Sequence, residues 1–281
     1  MLNEQHDVVV SDIMTTDVDC LPGNKTVDEA VEWFDERGYT AAPIAGSSPT
    51  AYVTAEAVAA AETEEPEATL AALGEPVSLS RLVSPDLGFE GMLDALRAEP
   101  VYFVGWDGEV EGVFSRADLN KPPAHAHLYT LVYELEARLR DLVDERTDWE
   151  VILRNIDYDG DEYNTEYDML REEYEGYVDA DLHLRPIDYT TFWQLEQVVD
   201  EHDDLWKLLP FSSRDRAVRK LGAIRDLRNQ VAHYGNVIHS MDADLLATGR
   251  DIIGLKETYT AIVEIIDALR ERQAGEPTVS E

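Results

Sequence analysis

Residues 101–119 read V-Y-F-V-G-W-D-G-E-V-E-G-V-F-S-R-A-D-L, and the division of this stretch decides the fold. Val101 to Trp106 is a run of β-branched and aromatic residues, which predicts a strand. Asp107-Gly108 is a hairpin-type turn, and Val110 to Phe114 pairs back across it. Ser115 caps a last helical turn that ends before Pro122-Pro123. Upstream, Pro76 to Val83 leads to Ser84-Pro85, and a helix runs from about Gly88 to Arg97.

The same order occurs once before. Val8 to Met14 is a short apolar strand, and Pro22-Gly23 punctuates the segment that follows. Thr26 is an N-cap with Glu29 as its capping-box partner, and the helix stops at Gly38. Tyr39 to Ile44 and Ala51 to Val53 are strands, and Thr54 caps a short helix. Two copies of strand–helix–strand–turn–strand–helix, about 70 residues apart, predict a repeat module rather than one large sheet.

These residues resemble a CBS-domain pair over about residues 7–121. S-D-I-M-T (Ser11 to Thr15) is similar to the family's entry motif, T-V-D-E-A (Thr26 to Ala30) to its helix start, and G-V-F-S-R-A-D-L (Gly112 to Leu119) to its ribose-binding signature. An aspartate at a helix start can accept both ribose hydroxyls, and an N-cap serine beside free backbone N–H groups suits a phosphate. The resemblance therefore implies that Asp118 holds a ribose, that Ser115 contacts sugar or phosphate, and that Arg116 neutralises a phosphate. In the first copy Ala57 stands where the aspartate belongs, so at most one competent site per pair is expected, for AMP, ADP or ATP. The alternative is a structural dimeriser in which Ser115 is only a cap.

Lys121 to His127, K-P-P-A-H-A-H, is the junction, with residues 122–127 expected as a solvated linker. His125 and His127 lack further nearby ligands, so no metal site is expected there. Beyond it, residues 128–281 are expected to be helical. Leu128, Leu131, Val132, Leu135, Leu139, Leu142 and Val143 follow helical spacing to about Arg146, with Glu134 and Arg138 placed to pair. Asp157 to Asp168 is rich in aspartate, but Glu162 and Asp168 stand where a calcium loop needs glycine and glutamate, so an exposed loop is expected. Tyr163 to Val178 and Tyr189 to Leu209 are the next helices, and Ser212 or Ser213 caps another.

That last helix ends in I-R-D-L-R-N-Q-V-A-H-Y-G (Ile224 to Gly235). At about 100° per residue, Leu221, Ile224, Arg228, Val231 and Ala232 form one stripe, while Asp226, Asn229 and His233 share a polar face. Six of the 23 basic residues fall between Arg214 and Arg228. R-N-Q-V-A-H (Arg228 to His233), in a helical context, resembles the HEPN superfamily. The resemblance implies an all-α bundle and a metal-independent ribonuclease of toxin or defence type, with a site formed across a homodimer.

RNA carries its own nucleophile, the 2′-hydroxyl. An imidazole poised near neutrality can move its proton, and a guanidinium can hold the scissile phosphate. His233 is then the acid/base, Arg228 the phosphate clamp and Asn229 an orienting group, with Lys220 and Arg225 on the RNA backbone. The alternative pairs Arg228 with Glu134 or Glu136 and leaves His233 as a helix cap.

Composition sets the outer bounds. Acidic residues outnumber basic ones 59 to 23, giving a net charge of -36. The excess is spread along the chain, which predicts a surface solvated for concentrated salt, a halophile's solution, where the Debye length falls to about 3 Å. No apolar run reaches a membrane span. The first residues, M-L-N-E-Q-H-D, do not read as a secretory signal, and Cys20 is alone, so a cytoplasmic protein is expected.

The whole is thus expected to be α+β: a tandem CBS (β-α-β-β-α) pair over 1–121 and a HEPN-like helical bundle over 128–281. Two functions compete. One is a dimeric ribonuclease that needs no cofactor and is regulated by an adenine nucleotide. The other is a non-catalytic nucleotide sensor whose helical domain binds protein or RNA. A separately encoded inhibitory protein partner fits the HEPN resemblance.

Overall fold

The structure, a computed structural model, describes residues 7–46, 50–106, 109–156, 165–179, 184–233, 235–238 and 251–275. The chain is α+β and divides into two compact units, Met1–His127 with Ile238–Lys256, and Leu128–Val237 with Glu257–Glu281.

The first unit opens with α1 (Val10–Ile13) where a strand was expected. Three successive valines favour extended chain, but Val10 and Ile13 are both buried, a spacing that one helical turn satisfies. Met14 N closes that turn on Val10 O at 2.7 Å. After β1 (Leu21–Pro22), α2 (Val27–Arg37) starts at the expected box. Glu29 Oε2 accepts from Thr26 N at 3.0 Å, and Thr26 Oγ1 accepts from Glu29 N at 3.4 Å. Gly38 ends the helix at φ 66°, a conformation that suits a residue without Cβ.

Next come β2 (Ala41–Ala45), β3 (Ala51–Thr54), α3 (Ala55–Glu62), α4 (Leu70–Leu73) and β4 (Glu75–Pro76). They complete a four-stranded sheet of order β1-β2-β3-β4, with β1 parallel to β2 and the other pairs antiparallel. Phe34, Val27, Ile44, Val53 and Leu70 form its core.

The second copy has β5 (Leu82–Val83), α5 (Phe89–Ala98), β6 (Val101–Trp106), β7 (Glu109–Ser115) and a 3₁₀ turn, Arg116–Asn120. Its sheet repeats the logic, β5 parallel to β6 and β6 antiparallel to β7. The turn expected at Asp107-Gly108 lies outside the described residues. β2 begins at Ala41 and β6 at Val101, so the repeat is shorter than the spacing of about 70 expected for such units. Aligned instead at the ends of β3 and β7, Thr54 matches Ser115 and Ala57 matches Asp118.

Residues 122–127, expected as a solvated linker, are the first turns of α6 (Pro122–Arg146). Proline is tolerated in a first turn, where N–H groups lack intrahelical partners anyway. Ala124 and His125 are buried there.

Every described element of the second unit is a helix or a 3₁₀ turn. It holds the Leu128–Arg146 part of α6, then α7 (Trp149–Asn155) and α8 (Thr165–Asp179). Most of the aspartate-rich stretch from Asp157 lies outside the described residues, and Thr165 to Asp168 begin α8. The single helix expected over Tyr189 to Leu209 is three pieces: a 3₁₀ turn (Pro186–Tyr189), α9 (Phe192–Glu201) and a second 3₁₀ turn (Trp206–Leu208). Thr191 caps α9 with Gln194 as its box partner, which fixes the break.

Helix α10 (Arg214–Ala232) carries the motif, and Ser213 is its cap. Helix α11 (Ile252–Gly275), not singled out above, buries Leu255, Ile262, Ile265, Ile266 and Leu269 at helical spacing.

Candidate functional site

The first candidate site is built by β7 and the turn after it. Thr15 and Val113 form an isolated bridge, Thr15 N to Val113 O at 2.8 Å and Val113 N to Thr15 O at 2.9 Å. Gly112 permits that approach: a Cβ there would lie 2.7 Å from Thr15 O. The motif glycine therefore has a concrete reason in this chain, the passage of a second backbone beside it.

The bridge delivers the Thr15 hydroxyl to Asp118, whose residue is only 3% exposed. Thr15 Oγ1 donates to Asp118 Oδ1 at 3.0 Å. On the other oxygen, Oδ2 accepts from Ser115 N at 2.6 Å and from Ser115 Oγ at 3.0 Å. Lys121 Nζ lies 2.7 Å from Oδ1 and also donates to Ile13 O at 2.7 Å, Met14 O at 3.1 Å and Thr15 Oγ1 at 3.0 Å. Four donors thus fill the four acceptor positions of one buried carboxylate. Sequence reasoning found Ser115 and Asp118 but missed Thr15 as a partner and Lys121 altogether.

Arg116 points elsewhere in this structure. Its Nε and Nη2 both donate to Leu96 O, at 3.0 and 2.8 Å, and satisfy a carbonyl in the last turn of α5. In the first copy Thr54 Oγ1 accepts from Ala57 N at 3.1 Å, so the hydroxyl cap persists without a carboxylate behind it.

The second candidate site is the end of α10. Ala217, Leu221, Ile224, Leu227 and Val231 are its buried residues. Leu227, three residues after Ile224 and four before Val231, takes the stripe position assigned to Arg228. Arg228 is at the stripe's edge, its side chain 37% exposed, with Nε 4.0 Å from Glu136 Oε2. Glu136 is itself buried and accepts from Arg140 Nη2 at 2.7 Å, while the same nitrogen donates to Thr190 O at 2.8 Å. Glu134 bonds instead to Arg138 and Arg270.

Asn229 and His233 are exposed, and His233 is the C-cap, its N donating to Asn229 O at 3.1 Å. The two expected RNA contacts are already ion-paired. Lys220 Nζ lies 3.0 Å from Glu257 Oε2, and Arg225 Nη1 lies 2.6 Å from Glu196 Oε2. Burial raises the Glu196 carboxyl above its usual range, and the Arg225 charge opposes that shift. Arg216 and Arg219, absent from the expected set, are exposed and have no ion-pair partner among the described residues.

Among the described residues no group of three or more His, Cys, Asp and Glu could hold a metal ion, and no helix is long and apolar enough to cross a membrane.

No family model matches the chain, and no curated protein matches it. Solved structures do. A putative acetoin utilization protein from Vibrio cholerae is 17% identical with a TM-score of 0.36, over 40% of this chain and 87% of its own. A hemolysin-like protein containing a CBS domain, from Oenococcus oeni PSU, is 16% identical with a TM-score of 0.34, over 41% of this chain and 88% of its own. CBSX2, solved in complex with AMP, is 18% identical with a TM-score of 0.36, over 42% of this chain and 97% of its own. The ligand belongs to that protein, and the likeness is confined to the N-terminal part of this one.

Proposed function

We propose that the chain is a nucleotide-responsive regulatory protein, with a CBS-type pair in its first unit that binds an adenine nucleotide at Asp118. The observation that carries this reading is the Asp118 cluster. A buried carboxylate at the start of a helical turn gathers one hydroxyl from Ser115 and another from Thr15, 103 residues away. A ribose diol offers the same donor chemistry as those hydroxyls, and the N-terminal end of the turn suits a phosphate. The adenine base comes from the family resemblance alone. Its test is a melting series in concentrated salt with adenosine, AMP, ADP and ATP. A ligand at 100 times its Kd stabilises the folded state by about 2.7 kcal/mol. The expected result is a raised Tm with at least one adenine compound. No shift with any of them overturns the reading.

A second reading, favoured by the solvent-facing end of α10, gives the helical unit an output. Asn229 and His233 are exposed beside a partly exposed Arg228, and Arg216 and Arg219 on the same helix have no ion-pair partner among the described residues. This is a metal-independent ribonuclease, completed by a second copy of the chain in a homodimer and open to a separate inhibitory protein. His233 would move the 2′-hydroxyl proton and Arg228 would hold the phosphate. Cleavage of a mixed RNA pool by wild type and not by His233→Ala supports it. No cleavage by either leaves the second unit as a binding domain for protein or RNA.

A further inference from the structure

We propose that Lys121 is an internal occupant of the Asp118 site, which an incoming ribose must displace. This rests on Asp118 being the ribose site. All four acceptor positions of that carboxylate are taken, so two sugar hydroxyls cannot bind until donors leave.

The four donors are not equally free to go. Ser115 N is backbone, fixed by the turn it caps, and the Ser115 hydroxyl can turn but stays beside it. Thr15 is held by its bridge to Val113, so its hydroxyl can turn but its backbone stays. Lys121 is different. Its ammonium sits at the end of a flexible four-carbon stem, and its side chain is 38% exposed against 5% for Asp118. A path to water is open to it, and water can replace the carbonyls of Ile13 and Met14 that it leaves.

Displacement would have a structural consequence. Lys121 is the residue before α6, and its ammonium joins that point to residues 13–15 through three oxygens besides Asp118. A diol that takes Oδ1 breaks the Asp118 contact, and the ammonium that swings out to water gives up the other three with it. Ligand binding is then coupled to release of the start of α6 from the 13–15 segment. The differential contact that any regulation requires is supplied by one side chain.

Two measurements test this on the full chain. The first is titration of adenosine and AMP into wild type, Lys121→Met and Thr15→Val. Adenosine isolates the sugar contact, because it carries no phosphate for the lysine charge to attract. Removing an occupant held by charge-assisted hydrogen bonds should tighten adenosine binding by about tenfold or more in Lys121→Met. The second keeps the native sequence. Amine acetylation, read by mass spectrometry at each of the five lysines, should rise at Lys121 when adenosine is added and stay level at the other four. If wild type binds adenosine while Lys121 labelling stays unchanged or falls, the displacement is wrong and the nucleotide reading survives. The same holds if Lys121→Met folds and binds adenosine no tighter. If neither wild type nor variant binds any adenine compound, the nucleotide reading and the displacement fail together.

Discussion

Arg140 and Arg228 approach the same carboxylate, Glu136, from opposite oxygens: Arg140 Nη2 at 2.7 Å from Oε1, and Arg228 Nε at 4.0 Å from Oε2. The two pairs are not equivalent. Arg140 is 15% and Glu136 9% exposed at the side chain, and the Arg140 bond extends to Thr190 O. Breaking a buried pair by deleting one partner costs about 3–5 kcal/mol, because the other charge stays behind. A long, half-exposed contact contributes about 0–1 kcal/mol. Arg140→Ala should therefore lower the urea midpoint strongly and Arg228→Ala barely. That asymmetry makes Arg228→Ala a fair probe of chemistry, since the variant should fold. Equal losses in the two variants would place Arg228 in the scaffold.

Gly112→Ala tests the passage of Thr15 beside β7. The added methyl would meet Thr15 O at 2.7 Å and Met14 Sδ at 3.1 Å, and backbone cannot swing aside as a side-chain tip can. Overpacking of this kind costs about 1–3 kcal/mol. Thermal unfolding should show that loss. A variant as stable as wild type would mean that the two backbones are not that close.

Acidification should act through His125. It is buried, and neither ring nitrogen has a hydrogen-bond partner among the described residues. Burial holds its imidazole below the ordinary value of 6.5. His127 is lowered too, again by burial, with Asp7 opposing. A depressed histidine is neutral when folded and takes its proton on unfolding, so the unfolded chain binds more protons as the pH falls below 6.5. Stability should drop from that point downward. Comparing denaturation midpoints on either side of it in wild type and His125→Met checks this, the variant losing less. Equal losses would assign the effect to other groups.

Much of the local structure was legible because local chemistry decides it. The Thr26–Glu29 box, the Gly38 stop and the Ser213 cap each involve residues within one turn. The errors came where neighbours distant in sequence decide. Val8 to Met14 reads as strand until the burial of Val10 and Ile13 is known. Arg228 fits the apolar stripe by angle alone, yet Leu227 fills it and the guanidinium turns to Glu136. The site at Asp118 was half legible: Ser115 and Asp118 stand three apart in a motif. Lys121 stands three residues after Asp118, but Thr15 reaches the carboxylate and the ammonium only across more than a hundred residues of chain.

Salt should be a stabiliser over an unusual range. A net charge of -36 repels itself, and raising the salt to about 1 M shortens the Debye length to about 3 Å. Tm should climb steadily as potassium chloride is raised from low concentration into the molar range, with sodium chloride acting alike. A flat profile would mean that the surface pairs already neutralise the repulsion and that the charge excess has another cause.

The most direct test of the account is calorimetric titration of AMP into the full chain and into Asp118→Ala, in molar salt, with circular dichroism to verify folding. The account predicts saturable binding by wild type and a loss of about tenfold or more in the variant, from the charge-assisted hydrogen bonds removed. Equal affinity in the two proteins, or no binding by the wild type, would contradict it.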